Sequence, residues 1–203
     1  ASVINIPGFT VDGKVVITAR EAVSLKKVPG TLVLIGGGVI ALELGMVYQK
    51  LGSKVIVVEM MDQLLPTEDA DVVKVVEKRF TQNGGEVLVK AKAKACTVKG
   101  DKAKVVVEHN GKERTLDADV VLVAVGFRPN SKGLGLEEVG VKLDERGHVI
   151  TNELLQTNIP SIYSIGDVSG PPYLAHKATK EGEIAAEVIA GHKAAWEPAA
   201  IPA

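Results

Sequence analysis

The chain has 203 residues, a formal net charge of −1 at pH 7, and 46% hydrophobic against 24% charged residues. This balance is typical of a globular protein, and the near-zero charge gives no electrostatic basis for binding nucleic acid or a membrane surface. The sequence has no apolar run of the roughly 18 residues that a transmembrane helix needs, and its single cysteine, Cys96, excludes an intrachain disulfide and a cysteine metal cluster.

The first half of the chain alternates between strand and helix patterns. Residues 31–35, TLVLI, are a short apolar run typical of a strand that is buried on both faces. Helical spacing follows from Gly38 to Leu51, residues 55–59 (VIVVE) predict a second buried strand, and residues 69–85 predict a helix that ends at Asn-Gly-Gly. The expected apolar face of the first helix consists of Val39, Leu42, Val47, Tyr48 and Leu51. This order indicates parallel strands with right-handed crossovers.

The pattern then changes. Residues 94–126 contain Gly-Asp and Asn-Gly turn signals between alternating segments, which predicts an antiparallel meander that leads into a buried strand at 120–126. Residues 161–165 (SIYSI) predict one more short strand, and residues 174–191 predict a helix. The predicted fold is α/β: a Rossmann-like parallel sheet with helices and an antiparallel β-meander, of the three-layer β/β/α type.

The glycines at the first strand-to-helix turn predict a dinucleotide site. In Gly36-x-Gly38-x-x-Ala41, the first glycine permits a tight turn, the second lets a pyrophosphate approach the backbone, and the small third residue lets the helix pack on the strand. The helix N-terminus would offer free N–H groups to the phosphates. Glu59 ends the next strand about twenty residues further on, where an acid can bind the adenosine ribose. The alternative is a turn with a structural role alone.

Two acids near this turn refine the hypothesis. A carboxylate at Glu59 would repel a 2′-phosphate, and Met60 and Met61 follow it where arginines would welcome one, so NAD is favoured over NADP. Glu43 lies in the first turns of the helix, where negative charge is favourable in itself. The other interpretation of Glu43 places its carboxylate beside the nicotinamide end of the cofactor.

Five motifs, in order, resemble the dihydrolipoamide dehydrogenase family of flavoprotein disulfide reductases. They are LVLIGGGVIALELG, VIVVEMMDQLLP, DVVLVAVGFRPN, IPSIYSIGDV and LAHKATKEG. The resemblance implies bound NAD and FAD, and it implies that electrons pass from dihydrolipoamide through a redox disulfide and FAD to NAD. The resemblance implies no catalytic or metal-binding residue in this chain. The residues that it assigns to cofactor contacts are Gly36, Gly37, Gly38, Val39, Ile40, Ala41, Glu43, Glu59, Ala93, Gly126, Asp167, Tyr173, Leu174, Ala175 and His176.

Within that set, the resemblance implies distinct roles. Ala93 would flank the adenine through its backbone, and Gly126 would let the chain pass close to the nicotinamide half. Asp167 would bond the ribityl chain of FAD, and the backbone N–H groups of residues 173–176 would reach the flavin pyrimidine. His176 would therefore be a backbone contact and not a base, and we expect the other histidines, His109, His148 and His192, to face solvent.

The chain also departs from the family pattern. Ala41 replaces a frequent glycine, Phe127 replaces the usual arginine of the GRxPN motif, and Tyr173, after a doubled proline, lies where the family has methionine. The N-terminal flavin fingerprint, the CxxxxC disulfide and the C-terminal interface domain of the family have no counterpart in these 203 residues.

We therefore expect a middle fragment with three parts: an NAD-binding domain (1–148), a returning segment of the FAD domain (149–192) and a linker (193–203). The returning segment should expose the apolar side chains of Leu174, Ile184 and Val188.

The parent would be a homodimeric oxidoreductase that serves the lipoyl domains of 2-oxo acid dehydrogenase complexes, in a bacterial cytoplasm, while the isolated chain would bind nucleotide without turnover. The alternative is the NAD domain of another flavoprotein disulfide reductase, such as a mercuric reductase, or of an NADH oxidase relative.

Overall fold

A computed structural model describes residues 1–202. The strands are β1 Ser2–Val3, β2 Val16–Ile17, β3 Thr31–Ile35, β4 Lys54–Val58, β5 Glu86–Leu88, β6 Ala91–Lys99, β7 Lys102–His109, β8 Lys112–Ala118, β9 Val120–Val123 and β10 Phe127–Arg128. The helices are α1 Ala19–Ala22, α2 Val39–Lys50, α3 Ala70–Gln82 and α4 Ala175–Ile189, with a 3₁₀ helix at Gly166–Ser169. The chain divides into a larger unit, residues 3–126, and a smaller unit, residues 1–2 with the chain from Phe127 onward.

The larger unit is built on a parallel sheet of five strands in the order β2-β9-β3-β4-β5. β3 lies at the centre, because the chain passes from β3 through α2 to β4 on one side, and β9 pairs with β3 on the other. This is the arrangement that leaves a crevice at the carboxyl ends of the strands. The buried parallel strands predicted from the sequence are confirmed, although β9 ends at Val123, three residues before the predicted end at 126.

The sheet is covered on both faces. Leu32 and Leu34 of β3 pack with the helices α1, α2 and α3, whereas Val33 and Ile35 pack against the antiparallel meander β6-β7-β8. All four side chains are almost fully buried. Helices, parallel sheet and meander form three layers, which confirms the predicted fold class.

The predicted buried face of α2 is wrong in part. Leu42 and Tyr48 are buried, but Val39, Val47 and Leu51 are exposed. The reason is that small residues make the closest contact with the sheet: a Cβ added at Gly45 would lie 2.6 Å from Leu34 Cδ1. The helix therefore sits close to β3 along a narrow strip, and side chains outside that strip remain in solvent.

The strand predicted at 161–165 is not formed. The segment makes a single antiparallel bridge, between Tyr163 and Gln156, and then turns into the 3₁₀ helix. A strand requires a neighbour that pairs along its length, and the described part of the smaller unit supplies only turns and loops there. Short apolar runs are ambiguous in sequence for this reason.

The prediction that the apolar face of α4 is exposed is also wrong. Ile184 is buried, and it forms a cluster with Leu155 and Ala185 against which Val188 and Trp196 pack. The residues after α4 fold back, so that Trp196 packs against this cluster and its N–H donates to the carbonyl of Glu153 over 2.7 Å. The domain boundary expected after residue 148 stays a prediction.

A buried ion pair joins α4 to the 3₁₀ helix. Lys177 Nζ lies 2.9 Å from Glu181 Oε1, and both side chains are almost fully buried. Lys177 also donates to the carbonyl oxygens of Gly166 and Gly170, and Glu181 Oε2 accepts the N–H of Gly166 over 2.6 Å. The pair thus fixes both backbone groups of Gly166, the residue before Asp167.

We predict that Lys177→Met destabilises the smaller unit by roughly 3–5 kcal/mol, because it leaves the Glu181 carboxylate buried without its partner. Trp196 is the only tryptophan of the chain and packs against the buried cluster of this unit, so its fluorescence during urea unfolding reports the loss of stability. The matched control is Lys180→Met, which breaks an exposed pair with Glu183 on the same helix and should cost less than about 1 kcal/mol. Equal midpoints for the two variants would contradict the prediction.

Candidate functional site

The glycine turn after β3 has the geometry that its first glycine predicts. Gly36 has φ +103°, and a Cβ at this position would collide with the carbonyl oxygen of Ala124, just beyond β9. Its N–H donates to the carbonyl of Val58 over 2.9 Å. Only glycine combines this backbone conformation with such a close approach, so the turn ties together the carboxyl ends of β3, β4 and β9.

The Glu59 carboxylate binds this turn directly. Its Oε2 accepts the N–H of Gly37 over 2.6 Å, and its Oε1 accepts the N–H of Met61 over 2.7 Å. Glu59 is 8% exposed. Each carboxylate oxygen has a second acceptor position, so the group that holds the loop can also accept hydrogen bonds from a ligand hydroxyl.

Gly38 leaves open space at the start of α2. It is the N-cap residue, in an extended conformation, and a Cβ added to it would meet no atom within 4 Å. No side chain caps the helix, and the first intrahelical donor to Gly38 is Leu42. The N–H groups of Val39, Ile40 and Ala41 come before that bond and have no carbonyl partner within the helix. An anion placed over Gly38 would meet these unpaired donors and the positive end of the helix dipole.

Three further predicted residues lie in the same unit. Glu43 is exposed on α2. Ala93 is half-buried in β6, whose first residue, Ala91, donates its N–H to the carbonyl of Glu59. Gly126 has φ +115°, and its carbonyl accepts the N–H of Ile4 over 3.0 Å. Glu59 and the beginning of β6 are thus neighbours, as a shared adenosine site requires, while the roles of Glu43, Ala93 and Gly126 stay predictions.

The smaller unit contains the other predicted contacts. Asp167 lies in the first turn of the 3₁₀ helix with its side chain 36% exposed, 3.4 Å from the N-terminal ammonium group of Ala1. The carboxylate is therefore accessible to hydrogen-bond donors. Its position depends on the Lys177–Glu181 pair, which fixes the preceding glycine.

The segment 173–176 leads into α4. Leu174 is the N-cap residue and provides no side-chain cap, so the N–H groups of Ala175 and His176 precede the first helical bond, from Ala178 to Leu174. The exposed His176 ring lies against the carbonyl of Pro202 with Nε2 at 2.8 Å. The local geometry supports backbone recognition by this segment.

The solvent-facing position expected for His148 is wrong. The ring is 5% exposed, with Nδ1 2.9 Å from Asp144 Oδ2 and Nε2 2.6 Å from the hydroxyl of Tyr173. Sequence reasoning missed this group because Tyr173 lies 25 residues beyond His148 along the chain. It also missed Lys177 and Glu181, since a Lys–Glu pair four residues apart is the usual pattern of an exposed helix face.

Other reactive side chains form no further centre. Cys96 is half-buried, and burial, followed by the charge of Asp12, raises the pKa of its thiol, so it remains protonated and unreactive. In residues 1–202, no group of three or more His, Cys, Asp and Glu side chains is placed to hold a metal ion. None of the helices there is long and apolar enough to cross a membrane.

Several known proteins are similar to this chain in sequence or in fold. Dihydrolipoyl dehydrogenase from Geobacillus stearothermophilus is 41% identical over 200 residues, which cover 98% of this chain and 42% of that protein. The solved flavoprotein disulfide reductase RclA of Escherichia coli matches with a TM-score of 0.83 and 27% identity, over 96% of this chain and 43% of the other. An NAD-dependent persulfide reductase from A. fulgidus matches with a TM-score of 0.82 and 30% identity, over 96% of this chain and 38% of the other.

The chain spans less than half the length of these relatives. Residues 1–182 match the model of one family, described as pyridine nucleotide-disulphide oxidoreductase. This match covers the glycine turn, Glu59, Asp167 and the start of α4. The chain therefore belongs to the pyridine nucleotide-disulphide oxidoreductase family.

Proposed function

We propose that the larger unit binds NAD and that the smaller unit supplies part of an FAD site, within an oxidoreductase of the dihydrolipoyl dehydrogenase type. The observation that carries the proposal is the open Cβ position of Gly38 beside the unpaired N–H groups of α2. Oxygens of a pyrophosphate would act there as acceptors, in the space around Gly38 where an added Cβ meets no atom within 4 Å. The sequence identity with dihydrolipoyl dehydrogenases supports the reaction type.

The residues of the larger unit would bind and orient the nucleotide. The α2 N-terminus would hold the pyrophosphate through backbone N–H groups. Glu59 would accept the ribose hydroxyls with the lone pairs that Gly37 and Met61 leave free. A carboxylate in that position opposes a 2′-phosphate, which favours NAD over NADP.

The residues of the smaller unit would contribute to the flavin site. Asp167 would accept hydrogen bonds from ribityl hydroxyls, and the uncapped start of α4 would direct N–H groups and a positive helix end toward the flavin ring. When bound, FAD and NAD supply the hydride transfer, and the protein provides position and electrostatics.

The wider context of the parent follows from the same proposal. A parent of this type would oxidise dihydrolipoamide carried on the lipoyl domains of 2-oxo acid dehydrogenase complexes, and would act as a homodimer. A second candidate is an NAD-linked reductase that acts on a different sulfur substrate, which the structural match to a persulfide reductase favours. Both candidates use the same NAD site.

We predict that Gly38→Ala weakens NADH binding at least about tenfold, because the new methyl group occupies the space proposed for the pyrophosphate. The measurement is fluorescence titration of the 203-residue chain and of the variant with NADH.

The native chain should also bind NADH at least about tenfold more tightly than NADPH, a difference of about 1.4 kcal/mol in binding free energy. The same fluorescence titration, with each nucleotide in turn, measures this preference.

The control is Gly182→Ala, a glycine-to-alanine change within α4 of the smaller unit, which should leave NADH affinity unchanged. Alanine is compatible with the Gly38 backbone, so Gly38→Ala should change the free energy of unfolding by about 1 kcal/mol or less. Unchanged NADH affinity in a folded Gly38→Ala protein, or equal affinities for the two nucleotides in the native chain, would disprove the proposed site.

We further propose that the isolated chain has no lipoamide reductase activity, even with added FAD. Its one cysteine cannot form the redox disulfide that the reaction requires. The measurement is NADH oxidation with lipoamide, compared with the same mixture without protein. Steady turnover above that background would show that the chain uses another route.

A further inference from the structure

A chain of three polar side chains lies at the start of α4. Asp144 Oδ2 is 2.9 Å from Nδ1 of His148, and Nε2 of His148 is 2.6 Å from the hydroxyl of Tyr173. His148 is buried, its ring centroid lies 6.0 Å from that of Tyr173, and Asp144 is partly exposed. We call this group the Asp144–His148–Tyr173 chain. The proposed NAD site does not use it.

The protonation states in this group are fixed by its partners. The Asp144 carboxylate accepts hydrogen bonds from the His148 ring and from the backbone N–H groups of Arg146 and His148. These bonds lower the pKa of the carboxyl group, and the bond from the ring has the largest effect. Burial, then the negative charges of Asp167 and Asp144, raise the pKa of Tyr173. Asp144 is therefore a carboxylate and Tyr173 a neutral phenol. Because a carboxylate can only accept, the neutral form of the His148 ring carries its proton on Nδ1, and its Nε2 accepts the hydrogen bond from Tyr173.

The turn from Asp144 to Val149, which contains His148, is connected to both segments of the proposed flavin site. Tyr173 immediately precedes Leu174, the N-cap residue of α4. On the other side, the N–H of Val149 donates to the carbonyl of Val168, next to Asp167, over 2.8 Å. The turn from Asp144 to Val149 thus reaches α4 through a side chain and the 3₁₀ helix through the backbone.

We infer that Asp144 and His148 are positioning residues, which hold Tyr173 and thereby the N-terminal turn of α4 in place by fixing a single tautomer of the His148 ring. The role of this positioning in flavin binding rests on the proposed function, because the N-terminal turn of α4 is the segment that would present N–H groups to the flavin. The anchor requires the hydroxyl of Tyr173, so an apolar replacement at this position would remove it.

Two measurements on the whole 203-residue chain, without cofactor, test the inference. In ¹⁵N spectra of ring-labelled histidine, Nδ1 of His148 should appear protonated and Nε2 unprotonated. Asp144→Asn should reverse this assignment: its oxygen must still accept the N–H groups of Arg146 and His148, so its amide NH₂ faces Nδ1 and the ring proton moves to Nε2. A residue that only fills space would not change the tautomer.

The second measurement is amide hydrogen exchange in Tyr173→Phe and Tyr173→Met, which remove the hydroxyl group and retain an apolar side chain. The N–H of Ala178, which donates to Leu174 at the start of α4, should exchange about five- to tenfold faster. The N–H of Ala190, which donates to Ala186 at the opposite end of α4, should be unaffected. Tyr163→Phe is the matched control, since its hydroxyl only accepts a 3.3 Å bond from Gln156.

The inference is overturned by either of two results: a native His148 ring protonated on Nε2 alone, or unchanged exchange at Ala178 in both Tyr173 variants. These outcomes are independent of the proposed function, because the NADH titration involves none of the three residues. Failure of that titration would leave the hydrogen-bond chain intact, and failure here would leave the nucleotide site intact.

Discussion

The nucleotide half of this protein depends on one buried carboxylate. Glu59 ends β4 and accepts N–H groups from Gly37 on one side and Met61 on the other, so it holds the glycine turn against the neighbouring strand. An amide at this position would place an NH₂ group against one of two N–H donors, and an apolar residue would leave both unpaired. The acid proposed to recognise the ribose is therefore also the group that shapes the pyrophosphate loop before any ligand binds.

Much of the larger unit could be predicted from the sequence because its signals are local. Buried parallel strands are continuous apolar runs, Asn-Gly marks the hairpin turn at Asn110, and the Gly36–Ala41 spacing describes a single turn. The buried face of α2 escaped prediction for the opposite reason. Hydrophobicity identified Val39 and Val47, whereas the contact with the sheet is made by Gly45, which has no side chain to count.

The smaller unit was predicted less well because its structure depends on contacts distant in sequence. The strand expected at 161–165 has no partner strand, and Trp196, whose N–H is bonded to Glu153, packs against Ile184 of α4 and its cluster. The same holds for polar side chains: a histidine in a polar turn normally faces water, whereas the His148 ring is buried and bonded to Tyr173, 25 residues further along the chain. No periodicity or propensity carries that information.

The two proposed cofactor segments share a feature of their helices. The N-cap residues are Gly38 in α2 and Leu174 in α4, neither of which has a side-chain oxygen that could accept a capping bond, so both helices expose backbone donors. α1, which has no proposed ligand, begins with a complete capping box between Thr18 and Glu21. α3 also has no proposed ligand; it begins at Asp69, whose side chain makes no capping bond but places a negative charge at the positive end of the helix. A helix start without a side-chain acceptor loses stability, by a few tenths of a kcal/mol at a glycine such as Gly38 and by about 1 kcal/mol at an apolar residue such as Leu174, unless another acceptor replaces the missing side chain. At α4 the Asp144–His148–Tyr173 chain holds the turn without using its N–H groups, which keeps those donors free for a ligand.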